Sequence, residues 1–243
     1  MNSPDNQDHR LFRFKQFSLS DKDCGMKIGT DGVLLGSLAA SYKSKRTLDV
    51  GTGCGLIALM IAQKSDAKIT AIELDRQASE TAKFNVSQSP WASRIEVLNQ
   101  SFQDFSIKTS EKFDLIVCNP PFFHNSQLTP IEERNLARHS DSLSPEDLIN
   151  GSSKILAPAG TLLLIVPFDQ ELLWKMKASN EGFSCSRIVH ILSKENLGPK
   201  RSVLEFSKKE TVVKTDLLVI ETDKRHQYSK DFVELTKDYY LFM

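Results

Sequence analysis

Leu48-Asp49-Val50-Gly51-Thr52-Gly53-Cys54-Gly55 is the stretch that decides the fold. Lys45 and Arg46 precede it and the apolar run Leu56-Ile57-Ala58-Leu59-Met60-Ile61-Ala62 follows, so it reads as a buried strand, a glycine loop and a buried helix. Glycines at alternate positions let the backbone turn tightly and approach a ligand closely. The spacing is G-x-G-x-G, with Leu56 where the dinucleotide fingerprint G-x-G-x-x-G needs its third glycine. A second strand begins near Lys68 and closes at Ala71-Ile72-Glu73-Leu74-Asp75. Glu73 stands where a carboxylate accepts hydrogen bonds from both hydroxyls of a ribose. Asp75 reads as the cap of the next helix, which runs through Ala78, Ala82 and Val86.

Further along, Phe113-Asp114-Leu115-Ile116-Val117-Cys118 reads as another buried parallel strand, followed at once by Asn119-Pro120-Pro121-Phe122. Neither proline has an N–H for a sheet ladder, so the strand stops sharply. The turn then presents an amide and an aromatic ring at the carboxyl edge of a sheet, where open α/β sheets bind ligands. An amide oxygen accepts from an NH₂ group while a ring stacks on its planar scaffold. A plain Pro-Pro turn needs neither.

Around these segments, strand and helix alternate. Ser144-Pro145-Glu146-Asp147 is a helix start, with Leu148, Ile149, Ser152, Ile155 and Leu156 on one face and Pro158-Ala159-Gly160 as its end. A buried strand over 160–166, a helix over 172–178 and late strands over 183–192 and 203–206 follow. This order predicts one α/β domain, a doubly wound, mostly parallel sheet of seven strands with an antiparallel hairpin at its edge. Residues 1–42 form a cap and helix, 43–208 the core, and 209–243 a C-terminal strand and helix. Phe12, Phe14 and Leu19 suggest strand pairing, and Thr30 or Asp31 is expected to cap a helix through Leu38. Residues 228–243 read as an amphipathic helix with Phe232, Leu235, Tyr239 and Phe242 packed on one face.

Composition sets limits. Lys plus Arg equals Asp plus Glu, 31 each, so no global positive field exists to attract nucleic acid. Local basic clusters are Lys43, Lys45 and Arg46; Arg134, Arg138 and His139; Lys194, Lys200 and Arg201; and Lys224, Arg225 and His226. Arg134 to His139 has the strongest case as an RNA contact, because its loop follows Asn119-Pro120-Pro121-Phe122; Lys200 and Arg201 are further candidates. Cys24, Cys54, Cys118 and Cys185 are scattered without a C-x-x-C pair, so neither a zinc site nor a disulfide framework is expected, and no catalytic metal. Residues 1–5 carry no signal-peptide core, and the apolar run 162–166 is too short to span a bilayer and is stopped by Pro167. A cytoplasmic protein, monomeric or weakly dimeric, is expected.

The glycine loop, the ribose carboxylate and Asn-Pro-Pro-Phe, in this order on successive strands, resemble the class I S-adenosylmethionine-dependent methyltransferases that modify exocyclic or amide nitrogens, which have a Rossmann-like sheet. The entry Phe14-Lys15-Gln16-Phe17, the run Met26-Lys27-Ile28-Gly29-Thr30-Asp31-Gly32-Val33-Leu34-Leu35-Gly36 and the ending Leu235-Thr236 … Tyr239-Tyr240-Leu241-Phe242-Met243 narrow this likeness to the bacterial tRNA1(Val) (adenine-37-N6)-methyltransferase family. The likeness covers essentially the whole chain, and is weakest over 194–223. It implies a tRNA substrate and S-adenosylmethionine as methyl donor. Asp49 with Gly51, Gly53 and Gly55 would hold the donor's amino-acid moiety, and Glu73 its ribose. Asn119 and the Pro120 carbonyl would accept from the target amine, with Pro121 shaping the turn and Phe122 stacking on the base. Lys27, Thr30 and Asp31 either close over the donor's amino-acid end or form a plain lid on the sheet edge. Many family members carry an acidic adenine contact where Ser101 stands beside Phe102 here, leaving Ser101 or Asp104 for that contact.

Three other functions stay open. An rRNA guanine-N2 methyltransferase often has a histidine soon after this tetrapeptide, as at His124, but commonly brings a second domain. A protein glutamine N5-methyltransferase shares the amide chemistry and would want a docking domain. A non-catalytic RNA-binding module would need Asp49, Glu73 and Asn119 less.

Overall fold

The computed structural model describes residues 11–121, 143–224 and 227–243. Its centre is a sheet whose strands alternate apolar residues between two covered faces. β1 (Phe12–Arg13) and β2 (Ser18–Leu19) form a small antiparallel pair outside it. The main sheet uses β3 (Arg46–Val50), β4 (Lys68–Glu73), β5 (Ile95–Asn99), β6 (Phe113–Cys118), β7 (Leu156–Pro167), β8 (Ser184–Lys194), β9 (Arg201–Ser207) and β10 (Lys214–Glu221). Its order is β10-β8-β9-β7-β6-β3-β4-β5. From β5 to β7 every neighbour is parallel, and β9 alone runs against its neighbours β7 and β8.

The expected seven strands are therefore eight, and the antiparallel hairpin β8–β9 is not at the edge. The C-terminal strand β10 pairs in parallel along β8 from Lys214 opposite Arg187 to Glu221 opposite Lys194. An ion pair from Arg187 Nε to Asp216 Oδ2, 2.6 Å, fastens the two. Unpaired, an eleven-residue β8 would present a long open edge, which β10 covers.

Helices α1 (Thr30–Ala39), α2 (Leu56–Lys64) and α3 (Arg76–Ser87) pack with Ala71, Leu115 and Val117 in one hydrophobic cluster. Helices α4 (Phe102–Lys108), α5 (Pro145–Ile155) and α6 (Glu171–Asn180) supply Phe102, Leu148, Ile149 and Trp174 to a second cluster with Leu48, Val50, Ile116 and Cys118. Alternate residues of one strand thus enter opposite cores. α1 lies close on α2: a Cβ at Gly36 would stand 2.7 Å from Met60 Sδ, so any larger residue there would force the Met60 side chain to shift.

Helix starts follow the sequence at Asp75 and Ser144, whose side chains accept from the N–H groups of Ala78 and Asp147, and Ser101 likewise caps α4 by accepting from Asp104 N–H. α1 differs. Its cap is Gly29, with no side-chain acceptor, because Asp31 is engaged by Arg201 instead. α5 ends at Ile155 and β7 opens directly at Leu156, with a register shift opposite Phe113 and Leu115 absorbing residues 158–160.

The C-terminal helix is much shorter than expected. α7 spans only Lys230–Thr236, after which the chain turns back so that Tyr240 bridges Phe14 of the N-terminal segment. Phe14 stacks on Phe17 and Tyr240 at centroid distances of 4.7 and 5.8 Å. Tyr239 is buried and donates to Met60 O, whereas Phe242, expected on the packed face, is 97% exposed. The segment around Phe14 and the C-terminal tail close on each other, and Tyr239 joins the tail to α2.

Candidate active site

The parallel strands end at one level, with Val50 opposite Ile72 and Cys118, and Ile72 opposite Leu98. β4 follows β3 on one side while β6 returns to its other side, so the crossovers diverge where the carboxyl ends of β3 and β6 meet. A cavity of about 820 Å³ lies there. Its walls come from the N-terminal segment, the glycine loop, the loops after β4 and β5, and the turn after β6.

The glycine loop bends through three left-handed residues, Gly51, Gly53 and Gly55, at φ +68°, +57° and +85°. A Cβ at Gly51 or Gly53 would meet no atom within 4 Å, so the requirement there is conformational rather than spatial. Gly51 N–H and Thr52 N–H donate to Ile72 O, which ties the loop to β4. Asp49 lies behind the loop rather than in the cavity wall. Fully buried, it accepts at Oδ2 from Thr52 Oγ1 (2.6 Å) and Ala58 N (3.1 Å), joining the loop to α2, while Oδ1 has no partner among the described residues.

Burial pushes the Asp49 carboxyl up to about 7 from an ordinary 3.8. A carboxyl raised on folding contributes its full stability below the unfolded value and loses it as pH rises through the folded one. Replacing Asp49 with Asn is therefore expected to flatten stability against pH. Between pH 4 and 8 the variant should gain on the parent by roughly 2–4 kcal/mol, the amino end of α2 offsetting part of the burial cost. Urea unfolding of both proteins at the two pH values checks this.

Glu73 lies in the cavity wall at the end of β4. Its Oε2 accepts from Gly53 N and its Oε1 from Asp75 N, each at 2.9 Å, so one carboxylate holds both the glycine loop and the start of α3. Asn99 Nδ2 supports the turn after β4 from β5, donating to Glu73 O and Leu74 O. Ser101 caps α4 through its hydroxyl; Ser101, Phe102 and Gln103 line the cavity and Asp104 does not.

Met26, Lys27, Thr30 and Asp31 of the N-terminal segment and α1 also line the cavity. Lys27 Nζ donates to Asp21 O at 2.8 Å. Asp31 Oδ2 accepts from Arg201 Nε at 2.7 Å, tying α1 to β9, so the residue expected near a ligand and the one expected near RNA are engaged with each other. The N–H groups of the first turn of α1, at Thr30 to Gly32, have no helical partner, border the cavity and carry the positive end of the helix dipole. Cys24 and Cys54 pack in one core cluster and link this segment to the glycine loop; the influence of each thiol on the other lowers the Cys24 pKa and raises that of Cys54.

Asn119 and Pro121 line the cavity at the end of β6, with buried Pro120 between them. Asn119 Nδ2 donates to Met26 Sδ at 3.2 Å, and its Oδ1 is buried with no partner among the described residues.

The cavity thus carries a carboxylate at the end of β4 and an amide after β6, on strands that flank β3. The methyltransferase small domain family matches residues 17–181. A tRNA1(Val) (adenine(37)-N6)-methyltransferase of Bacteroides fragilis is 43% identical over 96% of this chain and 98% of its own. That of Parabacteroides distasonis is 44% identical, with the same coverage of each. The chain belongs to the tRNA1(Val) (adenine(37)-N6)-methyltransferase family. In fold it is similar to a predicted O-methyltransferase of Agrobacterium tumefaciens, at TM-score 0.68 and 20% identity over 86% of this chain and 96% of that one.

For this methyltransferase chain, several sequence expectations lie outside the described residues: Phe122, His124, Arg134, Arg138, His139, Arg225 and His226. Lys200 is exposed just before β9, at the carboxyl end of β7, where its carbonyl accepts from Phe168 N and its neighbour Arg201 lies opposite Pro167. Lys45 and Arg46 stand at the amino end of β3, on the far edge, and Arg46 pairs with Glu111 at 2.7 Å. Sequence reading missed Asn85, a buried amide on α3. Its Nδ2 donates to Ser20 O and Cys54 O and its Oδ1 accepts from Ser20 N, pinning the N-terminal segment and the glycine loop together. The available signal was an asparagine placed one residue before core Val86, inside an otherwise ordinary helix.

Proposed function

We propose that this chain transfers a methyl group from S-adenosylmethionine to the exocyclic N6 of an adenine in tRNA, the target being adenine 37 of tRNA1(Val), as in its relatives' names. The observation that carries this reading is Asn119: a carboxamide at the carboxyl edge of β6, in the wall of the cavity, with a buried oxygen that has no partner among the described residues. A tRNA substrate implies a cytoplasmic site of action.

The residues present fit this methyl donor. Glu73 accepts only one hydrogen bond per oxygen from the described residues, so each retains acceptor capacity for a ribose hydroxyl. The first-turn N–H groups of α1, with Thr30, would meet its carboxylate. Ile72, Leu74, Ser101 and Phe102 would border its adenine. When bound, S-adenosylmethionine supplies an activated methyl group on a sulfonium. The chain's own residues do the positioning. An adenine amine is a weak nucleophile because its lone pair is delocalised into the ring. Acceptance of its two protons by Asn119 Oδ1 and the Pro120 carbonyl favours a more tetrahedral nitrogen and fixes its direction. Positioning and electrostatics then supply most of the rate; the nitrogen's surplus proton leaves late, to water, so no dedicated general base is required. The target must leave its stack, and Phe122 would offset part of that cost, roughly 1–3 kcal/mol.

With no net charge, tRNA affinity should be modest and steeply dependent on salt, since phosphate contacts release counterions. Replacing Lys200 with Glu is expected to weaken binding severalfold and to reduce the slope of log K against log salt by about one. Filter binding at three ionic strengths checks both. The reading itself is tested by offering labelled S-adenosylmethionine with bulk tRNA, ribosomal RNA and a glutamine-bearing release-factor-like protein. Label in tRNA alone is expected. Label only in ribosomal RNA or protein would transfer the function to those substrates, and donor binding without any transfer would make this a binding module.

A further inference from the structure

The two ends of the Asn119 carboxamide are treated differently. Its NH₂ group faces the Met26 thioether at 3.2 Å, 93 residues away in sequence, while its carbonyl oxygen has no partner among the described residues. A thioether sulfur accepts weakly and has no proton to give. Turning the amide over would set two lone-pair atoms, Oδ1 and Sδ, against each other, and would take the NH₂ away from its one acceptor. We infer that Met26 is a positioning residue for Asn119, selecting the amide orientation that leaves the oxygen, rather than the NH₂, for the target amine. This rests on the proposed role of Asn119 as the acceptor.

The segment that carries Met26 is held well enough to do this. Ser20 is fixed by two hydrogen bonds with Asn85, and Ile28 N–H donates to Asp21 Oδ2 at 3.2 Å. Cys24 is buried against Cys54 of the glycine loop. Met26 stands between these anchors, half exposed, in the same cavity wall as Asn119. A flexible unbranched side chain can bridge from this segment to the end of β6. Nothing in core packing calls for a sulfur at a position with 46% exposure.

Two substitutions separate positioning from packing. Met26→Leu keeps an apolar side chain of similar volume and removes the acceptor. Met26→Glu keeps the length and offers a stronger, acceptor-only group. Positioning predicts a fall in kcat of roughly threefold to tenfold for Met26→Leu, with the dissociation constant for S-adenosylmethionine within about twofold, and kcat for Met26→Glu at least about threefold above that of the leucine variant. A packing role predicts the reverse order and overturns the inference. The Asn119 side-chain NH₂ resonances of the ¹⁵N-labelled, donor-free protein, assigned with Asn119→Ala, give a readout independent of activity. In Met26→Leu they should shift and exchange with solvent several times faster, and identical spectra and exchange would overturn the inference. If the parent transfers no methyl group to tRNA, the functional reading has failed, and these resonances alone decide whether Met26 orients the amide.

Discussion

Asn119→Ala is expected to reduce methyl transfer to tRNA by about 10²–10³-fold in kcat, the scale seen when one preorganised polar contact to a reacting group is removed. Its effect on the protein itself should be small. The lost oxygen has no partner among the described residues and the lost NH₂ has only a thioether, so no strong native bond disappears. Removing a buried unpaired acceptor relieves a desolvation cost. Stability in urea is therefore expected to stay within about 1 kcal/mol of the parent, or to rise slightly. Calorimetry should give a donor dissociation constant within about threefold, since the contacts assigned to the donor lie elsewhere. A large loss of activity at unchanged stability and unchanged donor affinity is the pattern that separates a group acting on the substrate from one that shapes the cavity.

Glu73→Ala should behave in the opposite way. Each oxygen of this carboxylate already holds a backbone N–H, from Gly53 and from Asp75, and would also receive the ribose hydroxyls. Its loss removes the donor's anchor and frees the glycine loop on the side facing β4. Charge-assisted bonds of this kind are worth roughly 1.5–3 kcal/mol each, so donor affinity should fall by about 30-fold to 100-fold or more. The rate at saturating donor should fall far less, because the target amine is held by other groups. Glu73→Gln, which keeps one acceptor but turns an NH₂ toward one of the two N–H groups, should lie between the parent and alanine. Equal losses in kcat and in donor affinity for Glu73→Ala would mean that the carboxylate acts at the reacting centre instead.

What the sequence made legible was local. The glycine loop, the Asp75 and Ser144 caps and the double-proline stop after β6 are each written in a few consecutive residues, because backbone freedom and missing donors act over that range. That the sheet is doubly wound and mostly parallel followed from the alternation of strand and helix. What was not legible joins residues far apart. Neither the pairing of β10 along β8 nor the return of Tyr240 to Phe14 has any signature in periodicity, and the latter ended a helix that amphipathicity had extended to the terminus.

The candidate site divides in the same way. Glu73 and Asn119 could be picked out by their position at strand ends. The placing of Asp49 behind the loop could not, since a strand-end carboxylate reads the same whether it faces a ligand or a helix. The pairing of Asp31 with Arg201 spans 170 residues, and the contact of Met26 with Asn119 spans 93; both depend on how α1 and the segment before it settle over the sheet edge. Asn85 was hidden for a related reason: a buried polar side chain inside a helix announces itself only once its partners are known.

The central claim is that this cavity delivers a methyl group to an adenine amine in tRNA. The measurement that meets it most directly uses tRNA from cells lacking N6-methyladenosine, incubated with the protein and S-adenosylmethionine, then digested with a base-specific ribonuclease and to nucleosides for mass spectrometry. The expected result is N6-methyladenosine as the single new nucleoside, within the anticodon-loop fragment of tRNA1(Val), and none from Asn119→Ala. A methyl group on a guanine, on a ring nitrogen or on a ribose hydroxyl would contradict the account, because Asn119 Oδ1 would then have no exocyclic adenine amine to accept from.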